Sequence, residues 1–255
     1  MSSDNSIDGV RRAFVTGAST GIGAAIAAAL GLEGYELVLA GRDAHSLQDV
    51  KERIEAKGGR AYTVPMDLSD PRSIGNAIEA VWTEFGPCNT LINCGGCTLR
   101  KPAINVAVDD WDEVISINLR GSYLTAVEFA RRLIAGKRTG SIVNIGSTHG
   151  LVGFPNLSVY GISKAGLHHM TRMLAIEWAE HGIQVNAIAP GATETPSRAE
   201  VFRDPATRER LLDRIPTHQF TTTDEIAAAA LYLVSPHARV VTGHILVLDG
   251  GLTVY

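Results

Sequence analysis

Cysteine is scarce in this chain, three in 255 residues, which is too few for a disulfide scaffold and one short of a four-thiolate zinc centre. Aromatic residues make up 6% and charged residues 20%, and no excess of positive charge is present. The 23 Lys and Arg stand against 27 Asp and Glu, a formal net charge of -4. That balance carries no electrostatic footprint for nucleic acid or an anionic membrane surface. A hydrophobic share of 45% excludes disordered and collagen-like chains. Glycine, at 26 residues, is what the chain has in plenty.

Part of that glycine lies in a charge-free stretch from Ala13 to Leu32, just behind Arg11 and Arg12, which has the outline of a leader or a membrane span. Gly17, Gly21, Gly23 and Gly31, with Thr16, Ser19 and Thr20, place turn chemistry where a spanning helix wants Leu and Val. The expectation is therefore no membrane segment and a cytoplasmic protein.

Short β-branched runs alternate with longer segments of helical spacing along the whole chain. Strands are predicted at Arg12 to Thr16, Glu36 to Ala40, Ala61 to Pro65, Thr90 to Asn93, Ser141 to Gly146, Gln184 to Ala189 and His244 to Leu248. Helices are predicted at Ile22 to Leu32, Ala44 to Lys57, Pro71 to Phe85, Asp109 to Ala135, Leu157 to His181 and Thr223 to Val234. The pattern predicts an α/β fold of Rossmann type, doubly wound, with a seven-stranded parallel sheet and helices on both faces. No linker or repeat divides residues 1–255, so a single dinucleotide-binding and catalytic domain is expected, with 193–222, the least regular stretch, as a substrate lid. Arg198, Arg203, Arg208 and Arg210 are mixed with acids there, which fits a solvated helical face as readily as a binding surface.

Between the first strand and the first helix stands Thr16-Gly17-Ala18-Ser19-Thr20-Gly21-Ile22-Gly23. Glycine lets the backbone turn tightly against a pyrophosphate, and free N–H groups at the helix start favour its negative charge. A second constellation is Ser147, Tyr160 and Lys164. Tyr160 and Lys164 are four residues apart on one predicted helix and share a face, and Ser147 ends the preceding strand, where sheet ligands bind. A free phenol titrates near pH 10, and an ammonium one turn away, aided by an oxidised nicotinamide, favours its ionised form. Acid–base work at a carbonyl needs such a pair.

As a set these residues resemble the classical short-chain dehydrogenase/reductase family, from about Arg11 to the C-terminus. Thr16 to Gly23 match its TGxxxGxG loop, Asn118 its mid-chain helix asparagine, and Ser147, Tyr160 and Lys164 its catalytic set. Pro190-Gly191-Ala192-Thr193-Glu194-Thr195 resembles its nicotinamide-side turn, and Asp249-Gly250-Gly251 its C-terminal signature. The resemblance implies hydride transfer between nicotinamide and a secondary alcohol or carbonyl. It gives Tyr160 the proton transfer, Lys164 the ribose and the tuning of Tyr160, Ser147 the substrate oxygen, and Asn118 a proton-relaying water. Gly17, Ser19, Thr20, Gly21, Ile22, Gly23, Asp67, Leu68, Asn93, Pro190, Gly191, Thr193 and Thr195 are the implied cofactor contacts, with Asp67 and Leu68 against the adenine. A two-fold-symmetric homotetramer, built on the two long helices and the C-terminal segment, is also implied.

The family's Asn-Asn-Ala-Gly is here Asn93-Cys94-Gly95-Gly96, which creates a Cys94-x-x-Cys97 pair. Zinc would need about four ligands, and Cys88 is the one further cysteine, so no metal site is expected. At the end of the second strand Gly41 and Arg42 replace the carboxylate that would hold the ribose of NAD, so NADP(H) is the expected preference; Asp43 keeps NAD(H) as the competing reading.

His149, with Arg100 and Lys101, is placed to meet an anionic or hydroxylated substrate, and Phe154, Asn156 and Leu151 are candidate pocket walls. A sugar or polyol and a 3-oxoacyl compound both stay open as substrates, the latter wanting a basic patch for an acidic carrier. A catalytically idle nicotinamide-sensing module of the same fold is the alternative in function, but such a module is expected to lack part of the Ser-Tyr-Lys-Asn set.

Overall fold

The computed structural model describes residues 9–196, 199 and 203–254. Seven parallel strands, β1 (Arg12–Thr16), β2 (Glu36–Gly41), β3 (Arg60–Pro65), β4 (Thr90–Asn93), β5 (Gly140–Ile145), β6 (Ile183–Pro190) and β7 (Ile245–Leu248), form one sheet in the order β3-β2-β1-β4-β5-β6-β7. Side chains alternate between its faces. Phe14, Val38, Leu91, Ile142 and Val185 enter one core with Phe129, Leu133, Leu167 and Leu174. Ala13, Val15, Leu37, Leu39, Ile92 and Val143 enter the other with Ile26, Leu30, Ile226 and Leu233. A sheet covered on both faces accounts for strands that read as continuous apolar runs.

The first face carries α3 (Pro71–Ala80), α5 (Ser122–Ala135) and α6 (Ser158–Trp178), and the second carries α1 (Gly21–Leu32), α2 (Ala44–Glu55) and α8 (Thr223–Val234). Starts follow local chemistry: Asp43 caps α2, Asp70 precedes Pro71 at α3, and Thr222 with Glu225 forms a capping box on α8. The strand order reverses between β1 and β4, and the crevice beyond their carboxyl ends is where a doubly wound sheet binds ligands.

Two helices expected to be continuous are divided. The helix predicted from Asp109 to Ala135 consists of α4 (Val108–Ile115), a wide π turn at Ser116–Gly121, and α5. At Gly121 an added Cβ would stand 2.4 Å from the Leu68 carbonyl oxygen, so this turn is pressed against the loop after β3. The helix predicted to reach Phe85 ends at Ala80, with a π turn over Val81–Phe85. Between β6 and α8 the chain makes an excursion whose ends are pinned by a bridge between Thr193 and Thr221. It holds α7 (Pro205–Leu212), started by Asp204 and Pro205. Arg198 lies outside the described residues.

His168, on α6, is 2% exposed and packs beneath the loop that follows β5. Burial, with the positive charges of Lys164 and Arg172, pushes its imidazole down to about 4. The unfolded chain's imidazole takes a proton below about pH 6.5 while the folded one stays neutral to about pH 4, so in that interval the unfolded state binds more protons. Stability should thus be full above pH 6.5 and fall as the pH drops towards 4. Denaturant midpoints across a pH series check this, and a His168→Leu variant should show a flatter acid limb.

Candidate active site

Six loops at the carboxyl edge of the sheet enclose a cavity of about 640 Å³ and a smaller adjoining one of about 200 Å³. Gly17, Ser19 and the Gly95–Cys97 backbone border both. Gly17 has φ +63°, and a Cβ there would fall 2.6 Å from the Gly95 Cα. At Gly23 a Cβ would meet the Gly17 carbonyl oxygen at 2.2 Å, so α1 starts in close contact with the loop. Thr16 braces the two loops: its hydroxyl accepts from the backbone N–H of Cys94 at 3.1 Å and of Gly95 at 3.2 Å. Thr20, the N-cap of α1, makes no side-chain cap bond, and the first turn holds no acidic residue. The positive end of α1 is thereby left to an anion in the cavity.

The opposite wall carries Ser147, Tyr160 and Lys164, the residues expected to do acid–base work. Ser147 stands near the start of the loop after β5, and its Oγ accepts from the His149 backbone N–H at 3.1 Å and lies 3.1 Å from His149 Nδ1. Tyr160 and Lys164 line the cavity from α6, with Lys164 Nζ 5.9 Å from the Tyr160 ring centroid. Lys164 is 5% exposed, and its ammonium donates to the Ile145 carbonyl at 2.8 Å. One of three protons is thus engaged, and two remain for acceptors in the cavity, which suits ribose hydroxyls. Asn118 sits in the π turn, wholly buried. Its amide donates to the Cys97 carbonyl at 2.9 Å and to Ser163 Oγ at 3.0 Å, and its oxygen accepts from the Cys97 N–H at 2.8 Å. Gly96 lies against both Asn118 and Lys164, with a Cβ position 3.1 Å from Asn118 Oδ1 and 3.7 Å from Lys164 Nζ.

Gly21, Ile22, Pro190, Gly191, Thr193 and Thr195 border the larger cavity with the loop and the Ser147 wall, and Arg42, Asp67 and Leu68 border the smaller. Ser69 donates its N–H and its hydroxyl to the Asp67 carboxylate and holds it below the usual range. Asp43 accepts from the N–H groups of His45 and Ser46 and from the Ser46 hydroxyl, so its carboxylate caps α2. Asn93 lies in the sheet beneath the crevice. It is 1% exposed, borders neither cavity, and ties β4 to its neighbours by donating to the Ser122 carbonyl and to Asn144 Oδ1. Phe154 and Asn156 also border neither cavity: Phe154 packs edge-on against His149, and Asn156, at φ +65°, is an exposed turn residue. Sequence spacing gave no signal for Leu157 as a cavity wall or for Ser163 as the partner of Asn118.

Cys94 and Cys97 are free thiols, and burial pushes Cys94 up to about 12 and Cys97 upwards. Thiols held protonated are poor nucleophiles and poor metal ligands, and among the described residues no His, Cys, Asp and Glu group could hold a metal ion. No helix among those residues is long and apolar enough to cross a membrane.

A glycine-floored crevice at the switch point, closed by a tyrosine and a buried lysine one helical turn apart, defines the class: a nicotinamide-dinucleotide-dependent oxidoreductase of the doubly wound fold. The family model described as Enoyl-(Acyl carrier protein) reductase matches residues 17–253. The chain is 36% identical to 3beta-hydroxysteroid dehydrogenase 1 of Eggerthella lenta, over 94% of this chain and 93% of that one. It is 34% identical to gluconate 5-dehydrogenase of Gluconobacter oxydans, over 95% and 94% respectively. The crystal structure of a putative 2-deoxy-d-gluconate 3-dehydrogenase from Agrobacterium tumefaciens with bound NADP superposes with a TM-score of 0.91, at 37% identity and with all of both chains covered. This chain belongs to the classical short-chain dehydrogenase/reductase family, and its activity is NAD(P)-dependent oxidation and reduction at a CH–OH carbon.

Gly17→Ala places a methyl group against Gly95 and forces a left-handed backbone that costs an L-residue roughly 1–2 kcal/mol. NADPH binding, followed by nucleotide fluorescence, should weaken about tenfold or more.

Proposed function

We propose that the protein is an NADP(H)-preferring dehydrogenase that interconverts a secondary alcohol and a carbonyl on a sugar- or polyol-like small molecule. The carrying observation is that Ser147, Tyr160 and Lys164 meet on one wall of the 640 Å³ cavity, facing the Gly17–Gly23 loop. The bound nicotinamide supplies the hydride donor or acceptor. The chain supplies the rest. Ser147 Oγ, which already accepts from the His149 N–H, has its own proton to donate to the substrate oxygen. Tyr160 passes the reacting proton to or from that oxygen, and the ammonium of Lys164 stabilises the phenolate left behind while holding the ribose. Asn118, fixed by Cys97 on two sides, keeps the π turn open beside Lys164, where a water relays the proton onward.

Gly17, Ser19, Thr20, Gly21, Ile22 and Gly23 hold the pyrophosphate, Asp67 and Leu68 the adenine side, and Pro190, Gly191, Thr193 and Thr195 the nicotinamide side. The NADP(H) preference rests on Arg42 at the smaller cavity and on Asp43, whose carboxylate is engaged at the start of α2 and so is drawn away from the ribose diol. The sugar or polyol class is supported by likeness to gluconate 5-dehydrogenase, whereas an acidic acyl carrier would want a basic surface that a chain of charge -4 does not advertise. We place residues 1–255 in one domain, in which 193–222 covers the substrate; Thr193 and Thr195 on the cavity and the Arg208–Glu194 pair at 3.3 Å support that cover. A cytoplasmic homotetramer fits the exposed Tyr123 of α5, Met173 and Ile176 of α6, and Val240 and Val254 near the C-terminus, apolar faces of the kind subunits bury.

Tyr160→Phe should lower kcat by about 10²–10⁴-fold while NADPH still binds, measured by steady-state turnover and fluorescence titration. Unchanged turnover would overturn the role given to Tyr160, and NADPH binding with no turnover by the wild-type protein would favour the nicotinamide-sensing alternative. NADPH should exceed NADH in kcat/KM by about tenfold or more, and Arg42→Ala should erase most of that margin.

A further inference from the structure

Two cations share one aromatic ring near the Ser147 wall, and among the described residues no anion is paired with either. The guanidinium carbon of Arg100 lies 5.4 Å from the centroid of the Phe154 ring, and that of Arg214 lies 4.8 Å from the same centroid. Arg100 comes from the loop after β4, Arg214 from just beyond α7, and Phe154 from the loop between β5 and α6. Three distant stretches of chain therefore converge to bring like charges onto one ring. Among the described residues neither arginine has a carboxylate or hydrogen-bond partner, whereas their neighbours do: Lys101 is paired with Asp110 at 2.5 Å and Arg208 with Glu194 at 3.3 Å. Like charges gathered without a counter-charge repel, and an aromatic face offsets little of that at an exposed site.

The pair is also continuous with the reacting centre. Arg100 lines the larger cavity, the Phe154 ring packs edge-on to His149 at 5.4 Å, and His149 Nδ1 lies 3.1 Å from Ser147 Oγ. A planar guanidinium fork matches a carboxylate in a way that a polyol hydroxyl does not.

We propose that the substrate is a polyhydroxy acid, whose carboxylate seats between Arg100 and Arg214 while a secondary hydroxyl several carbons away lies at Ser147 and Tyr160. The inference rests on the dehydrogenase reading above and narrows its substrate. Arg214 belongs to the excursion between β6 and α8, so the carboxylate would join that excursion to the β4 loop. Phe154 acts as the platform that aligns both guanidiniums.

The test uses the full-length protein with NADP⁺ and a panel of D-gluconate, D-galactonate and D-mannonate against the matching hexitols, which lack the carboxylate. The aldonates should be preferred in kcat/KM by about tenfold or more, through KM, with a margin that shrinks as salt is raised. Arg100→Ala and Arg214→Ala should each lower kcat/KM for the aldonates about tenfold more than for the hexitols, and Arg→Lys should restore part of the difference. NADPH fluorescence titration verifies that each variant is folded. Equal use of hexitols and aldonates, or equal losses on both classes in the variants, would overturn the proposal. Should no probe turn over, calorimetry of the aldonates with the NADP⁺ complex decides: salt-sensitive binding lost in both alanine variants supports it, and no binding overturns it. Failure of the dehydrogenase reading has a different mark, namely no NADPH binding by the wild-type protein.

Discussion

The contact on which the site depends is the close approach of the loops after β1 and β4, where the strand order reverses. Thr16 holds it with one hydroxyl that accepts from two successive N–H groups, those of Cys94 and Gly95. Glycine on both sides, Gly17 and Gly95, is what lets the backbones come so near. A buried N–H without a partner costs about 1–3 kcal/mol, so the Thr16 hydroxyl stabilises a crevice floor that no strand ladder reaches. From that floor the start of α1 faces one way and the Gly96 backbone passes beneath Asn118 and Lys164 the other.

Lys164 is the second constraint. An ammonium 5% exposed is costly unless it is hydrogen-bonded, and the carbonyl of Ile145, at the end of β5, is what receives it. That bond ties α6 to the strand whose loop carries Ser147, so Lys164 and Ser147 are held on one wall. Asn118 does the same from the other side, since its amide completes the backbone pairing of Cys97 and reaches Ser163 on α6. The π turn is the local cost of aiming that amide inward, and π turns are frequent at functional positions for this reason.

Much of this was legible beforehand. The seven strands and the helices around them followed from apolar period and from the glycine and polar turns between the runs, because these signals are local. Gly17 and Gly23 could be read as a phosphate loop since their spacing is short and their neighbours are a strand and a helix. Tyr160 and Lys164 could be paired because four residues on a helix always share a face. The break at Ser116–Gly121 was not legible: the run from Asp109 to Ala135 keeps good helical character, and the turn answers to Leu68, a residue distant in sequence. The bonds of Asn93 to Ser122 and Asn144 were not legible for a similar cause, as those partners lie on other elements.

Sequence by itself determined the doubly wound sheet and the glycine floor, and it singled out Ser147, Tyr160 and Lys164, which the structure brings to one cavity; these readings rest on spacings within a strand–turn–helix unit. It could not determine that Asp43 is engaged in capping, that burial holds the Cys94 thiol protonated, or that Arg100 and Arg214 share the ring of Phe154. Those were decided by tertiary structure alone, because burial and the company of a charge depend on which distant segments fold against it.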